Sequence, residues 1–211
     1  MSANNKSMND LNSSLRGGGS RERILTAVKK NQPELMTLPV VKNFPQGFSS
    51  PVEKFSEVLK GIGGSVYEVA NYTEVLHILT ANFPGANRIM STVQELSSIN
   101  KGDTGYEDPH SLEDVDLAVI SSPLAVAENG AVWTMDSLVP QRVLPFICQH
   151  LAVIVNKENL VSSMHEAYDK IGNADYGFGV FIAGPSKTAD IEQSLVLGAH
   201  GPKSMTVFLI G

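Results

Sequence analysis

The run at residues 151–155, Leu-Ala-Val-Ile-Val, constrains the fold more than any other feature of the chain. It is too short for a membrane span and lacks the alternation of a strand with one wet face. A continuous apolar run of this length suits a strand buried on both sides, as in a parallel sheet covered by helices. Its surroundings repeat the theme. Apolar strand candidates fall at residues 65–70, 88–91, 117–120, 131–134, 179–183 and 205–210. Helical spacing joins Val52, Phe55, Val58 and Leu59, and then Val75, Leu76 and Leu79 within residues 72–82. Residues 158–171, a stretch beginning near Thr188 and a short piece within residues 139–149 also read as helices. Strands alternating with helices predict an α/β fold with a mixed, mostly parallel sheet flanked by helices. The candidates around Leu117, Ala131 and Leu151 lack long helices between them, which predicts some antiparallel pairing there.

Residues 1–19 are rich in Ser and Asn, end in three glycines and read as a disordered tail. Ser20 is placed to cap a helix through Ile24, Leu25 and Val28, and the four prolines of residues 31–51 make a connecting arm. The expected organisation is therefore a tail (1–19), a helix and arm (20–50) and an α/β domain (51–211).

A net charge of −6 argues against sequence-independent nucleic-acid binding, which needs clustered cations. No apolar stretch is long enough to span a membrane, and no secretory leader is evident. The single cysteine, Cys148, can form no internal disulfide, and it cannot hold an iron–sulfur cluster. It reads as a core residue. These features predict a cytoplasmic protein. His77, His110, His150 and His165 show no metal-ligand spacing, so no metal site is expected.

Chemistry concentrates in residues 184–202, GPSKTADIEQSLVLGAHGP, between two strand candidates. Read as a helix, this segment has Ser186 or Thr188 as its cap and Asp190 and Glu192 in its first turn, where acidic groups complement the dipole. Lys187 opposes that dipole. It is better accounted for by a phosphate or carboxylate bound at Gly184, Ser186, Lys187 and Thr188. The spacing of Gly179 and Gly184 imitates a P-loop, but Pro185 stands where that motif needs Lys. His200, beside Gly198 and Gly201, suits an acid–base or ligand-orienting role, or equally a helix C-cap. Upstream, Glu128-Asn129-Gly130 is either a tight turn or a strand-end carboxylate fit for nucleophilic or base chemistry, with Ser121 and Ser122 near the same cleft.

The run Gly184 through Glu192 with Leu197-Gly198-Ala199-His200-Gly201-Pro202 resembles the signature of the LUD-domain family, lactate-utilisation protein C group. The segment at residues 125–130 resembles that family's Ala-x-Ala-Glu-(Thr/Ser)-Gly motif, with Asn129 in place of Thr or Ser, and residues 20–25 resemble its usual start. The resemblance implies the fold shared by ribose-5-phosphate isomerase, glucosamine-6-phosphate deaminase and CoA transferases. It also implies a part in L-lactate oxidation beside iron–sulfur partner proteins. This chain would carry no cofactor of its own and would bind a small anion at the Gly184–Thr188 turn, with Glu128, Asn129, Gly130, His200 and Gly201 around it. Glu-Asn-Gly is also similar to the segment bearing the catalytic glutamate of class I CoA transferases. The alternative is thus a stand-alone acyl-CoA enzyme with Glu128 as nucleophile. Phosphosugar or folate chemistry is a further possibility on the same fold.

Overall fold

A computed structural model describes residues 19–37, 47–189 and 195–211. Contacts divide the chain into Met1–Phe44 and Pro45–Gly211. Most of the expected tail, residues 1–18, lies outside the described residues. Within the first unit, helix α1 (Ser20–Lys30) places Glu22 in its first turn and Lys29 and Lys30 in its last, each complementing the dipole. Its cap position falls on Gly19, so Ser20 does not cap it as expected.

The second unit opens with α2 (Pro51–Gly61). Ser50 accepts a hydrogen bond from Glu53 N–H (3.3 Å), and Pro51 occupies the first turn, where its missing N–H costs nothing. Strand β1 (Ser65–Val69) leads to α3 (Tyr72–Asn82). There Asn71 accepts from Glu74 N–H (3.1 Å) and the Glu74 carboxylate accepts from Ala70 N–H (2.9 Å), a reciprocal cap. Strands β2 (Ile89–Ser91), β3 (Leu117–Ser121), β4 (Leu124–Val126) and β5 (Ala131–Met135) follow, then the short α4 (Leu144–Ile147). Next come β6 (His150–Asn156), β7 (Leu160–Val161), α5 (Met164–Ile171), β8 (Gly179–Ala183), β9 (Lys187–Ala189), β10 (Leu195–Leu197) and β11 (Ser204–Ile210).

These strands form a five-stranded sheet, a four-stranded sheet and a hairpin, instead of the single sheet expected. The first sheet has the order β1-β11-β6-β3-β2 and every neighbouring pair in it is parallel. The second has the order β7-β4-β5-β8, with β5 antiparallel to both its neighbours. The antiparallel pairing expected mid-chain is found here. Leu117 and Leu151, by contrast, lie in strands that run parallel.

Two adjacent strands pass from one sheet into the other. β3 continues into β4 through Ser122, whose N–H donates to Ile154 O (2.8 Å). The Ser122 hydroxyl lies 2.7 Å from Leu124 O and 2.5 Å from Trp133 O, so this buried serine ties the junction and does not line a cleft. β6 reaches β7 through a 3₁₀ turn, and β7 pairs parallel with β4. The helix expected over residues 158–171 is therefore only Met164–Ile171. Leu160 and Val161 gain more as strand partners of β4 than as a first helical turn, and Ser163 caps the helix by accepting from Glu166 N–H (3.3 Å). The piece expected within residues 139–149 shrinks to α4.

Alternation along the central strands sends side chains to both faces. Ala118, Ile120, Val153 and Val207 join Phe55 and Leu59 of α2 and Ala125 and Val132 of the second sheet. Val119, Ala152, Ile154 and Phe208 face Val75 and Leu79 of α3. Each fully buried Leu or Phe contributes about 1.5–3 kcal/mol. Cys148 lies in the first of these cores, and burial pushes its thiol up to about 12. At the amino ends of the parallel strands, the buried Arg88 donates to Asp103 O (2.6 Å) and Gly105 O (3.2 Å) and pairs with Asp114, pinning the loop before β3.

Candidate functional site

The segment after β8 is not a helix. Lys187 through Ala189 pair antiparallel with Leu195 through Leu197, in the register Lys187↔Leu197 and Thr188↔Val196. Asp190 and Glu192 lie outside the described residues. The expected cap roles of Ser186 and Thr188 fall away, because a strand starts where the helix was expected. The physical cause lies at the segment's ends. Gly198 N–H donates to Ser186 O (3.0 Å) and Ser186 N–H donates to Pro202 O (2.9 Å). Backbone groups that would serve a helix are already paired across the segment.

Gly201 lies against Ser186, so closely that a Cβ on it would stand 3.0 Å from Ser186 Cβ. His200 directly precedes Gly201 in the chain, and it is exposed. No helix precedes it, which removes the C-cap role. Lys187 is exposed and its ammonium donates to Ile62 O, at the C-cap of α2. A cation suits that end of a helix. The conflict that Lys187 posed at a helix N-terminus is absent, since it sits at a C-terminus.

The other motif reaches the same region through strand register. Ala131 pairs with Ala183, so Asn129-Gly130 and Gly184-Pro185 extend from the same end of neighbouring strands. Both turns approach the end of α2. At Gly130 (φ +69°) a Cβ would stand 3.2 Å from Leu59 Cα, and at Gly184 (φ +71°) one would stand 3.1 Å from the Ile62 side chain. Only glycine combines that backbone angle with so close an approach. Residues 61–64 complete the cluster. Their run of glycines is the mark they leave in the sequence.

Asn129 Oδ1 accepts from Ala131 N–H (3.0 Å), which makes the segment an Asx turn. Glu128 is exposed, and its Oε1 accepts from Met164 N–H (2.8 Å) at the first residue of α5. A carboxylate there satisfies an orphan donor and complements the dipole. The structure thus gathers Gly130, Gly184 and Lys187 around the end of α2, sets Gly201 against Ser186, and turns the Glu128 carboxylate towards α5. Among the described residues no three His, Cys, Asp or Glu side chains converge as metal ligands.

The comparisons with known proteins bear on this cluster. A family model for the LUD domain matches residues 101–210, just over half of the chain. Lactate utilization protein C of Bacillus subtilis is 32% identical over 114 residues, 51% of this chain and 48% of that protein. Its counterpart from Oceanobacillus iheyensis is 30% identical over 113 residues, 50% of this chain and 48% of that protein. The chain spans about half the length of the curated relatives it matches. The crystal structure of a DUF162-family protein from Deinococcus radiodurans shares the fold, with a TM-score of 0.59 at 14% identity over 76% of this chain and 96% of that one. The matched stretch contains both turn motifs and β3, β6 and β11 of the five-stranded sheet, and on that match the chain belongs to the LUD-domain family.

Proposed function

We propose that this chain serves lactate utilisation as a subunit without clusters of its own, working beside iron–sulfur proteins that oxidise L-lactate. A small carboxylate or phosphate anion binds at the turn cluster, held by Ser186, Lys187 and His200. The observation that supports this reading is the closure of residues 184–202 through Ser186, Gly198 and Pro202, which sets Gly201, next to the exposed His200, against Ser186, next to the exposed Lys187. The named relatives supply the pathway. A strand begins at Lys187, so this turn offers no N–H groups of a helix start. The anion now relies on one ammonium, one hydroxyl and one imidazole, of which the ammonium also holds Ile62 O.

Titration calorimetry with L-lactate, pyruvate and inorganic phosphate tests the site. Ser186→Ala and His200→Ala should each weaken the best of these anions by about three- to tenfold, in line with about 1 kcal/mol per lost hydrogen bond. Wild-type protein that binds none of them, or variants that bind equally well, would refute the site. The acyl-CoA alternative asks more of Glu128, whose carboxylate would have to leave Met164 N–H to attack a thioester. Incubation with acyl-CoA followed by peptide mass spectrometry decides it, since a covalent adduct at Glu128 would favour that enzyme over the subunit.

A further inference from the structure

The outer face of the second sheet carries a groove that the turn cluster does not use. Leu124, Trp133, Met135, Ile171, Ala174 and Tyr176 line a space of about 380 Å³, open to solvent. This falls within the roughly 300–1,000 Å³ typical of small-molecule sites, and its lining is of the mostly apolar kind such sites have. Its aromatic wall is held from several sides. Trp133 is only 6% exposed, meets the edge of Tyr176 at 5.2 Å and 89°, and tilts against Phe181 at 4.7 Å. Gly179 leaves room for the indole, since a Cβ there would stand 2.3 Å from its ring. Such bracing favours a preformed flat surface over one that rearranges.

Two opposite charges stand on the rim. Lys170 lies in the last turn of α5 and Asp175 in the loop beyond it, and both are exposed. Among the described residues neither is in an ion pair. We propose that this groove binds a planar, ring-bearing acid. The ring lies along Trp133 between Met135 and Ile171, the acid group meets Lys170, and an N–H on the ring system donates to Asp175. This site is separate from the turn cluster and does not depend on the lactate assignment.

Trp133 is the only tryptophan in the chain, so its emission reports the groove directly. The probe is 1-anilinonaphthalene-8-sulfonate, which carries fused rings, an N–H and an acid, and the comparison is N-phenyl-1-naphthylamine, which lacks the acid. The full chain should bind the sulfonate saturably at a single site and lose Trp133 emission by energy transfer to the dye. Lys170→Gln should weaken the sulfonate about two- to fivefold, the range of one exposed charge pair, and leave the neutral dye unchanged. Ala174→Phe should fill the groove and abolish the response to both dyes. Unsaturable quenching, quenching that survives Ala174→Phe, or a Lys170→Gln effect equal for the two dyes would each overturn the proposal. Lys170 is exposed, so its variant keeps the test decisive should Ala174→Phe fold poorly.

Discussion

Lys187 and Glu128 show how residues that look chemical in a sequence take on structural duties as well. Each is exposed and each neutralises a helix end, Lys187 at the C-terminus of α2 and Glu128 at the N-terminus of α5. Lys187→Met and Glu128→Ala should therefore each lower stability by about 0.5–1 kcal/mol in urea unfolding, whatever their effect on ligands. Loss of anion binding in Lys187→Met counts towards the site only when measured well below its melting temperature. Cys148 is the opposite case. With its thiol buried and pushed up to about 12, it should resist Ellman's reagent in the native protein and react fully in denaturant. Rapid native labelling would contradict its place in the core.

At the scale of elements, what was legible depended on how local the forces were. The strand at Gly179–Ala183 and the helix at Tyr72–Asn82 match the sequence expectations to the residue, because pattern, caps and glycines act within a few positions. Leu160–Val161 failed because its apolar residues fit either period and only the distant partner β4 decides between them. The signature segment failed for a related reason: its conformation is set by Ser186 meeting Pro202 and Gly198, which a helical count cannot see. The candidate site was legible as a list of residues, not as a mechanism. Gly130, Gly184 and Lys187 meet at the end of α2 and Gly201 meets Ser186, whereas among the described residues the segment begins as a strand and not as a helix N-terminus. The convergence on α2 rests on a backbone approach at Gly130, so Gly130→Ala should cost about 1–3 kcal/mol and lower the melting temperature by several degrees. An unchanged melting temperature would mean that this turn is not held against Leu59.

At the largest scale, the two sheets are joined by two chain passages, β3 to β4 through Ser122 and β6 to β7 through a 3₁₀ turn. The pH dependence of stability belongs at this scale. His150, at the amino edge of the first sheet, accepts or donates at Ser204 Oγ (2.7 Å) and its ring tilts against Phe83 at 4.9 Å. Burial, then Lys203, pulls its affinity for protons below the ordinary value of 6.5, with Asp116 opposing. A histidine with a lowered folded value binds more protons when unfolded, so its contribution is complete above about pH 6.5 and declines as pH falls below that. Asp116, held low by the N–H groups of Asn87 and Arg88, adds a second loss at more acid pH. His150→Gln should flatten the fall in melting temperature between about pH 7 and pH 5.5 and leave the more acid limb in place. A variant with the wild-type slope would exclude His150 as its source.

The most direct test of the central claim is affinity capture of the tagged chain from lactate-grown native cells, with mass spectrometry and a dye-linked lactate oxidation assay on the eluate. The account predicts cysteine-rich iron–sulfur proteins at comparable abundance and lactate-dependent dye reduction, both reduced when Ser186 and His200 are replaced together. A chain recovered alone, with no lactate-dependent reduction in the eluate, would contradict it.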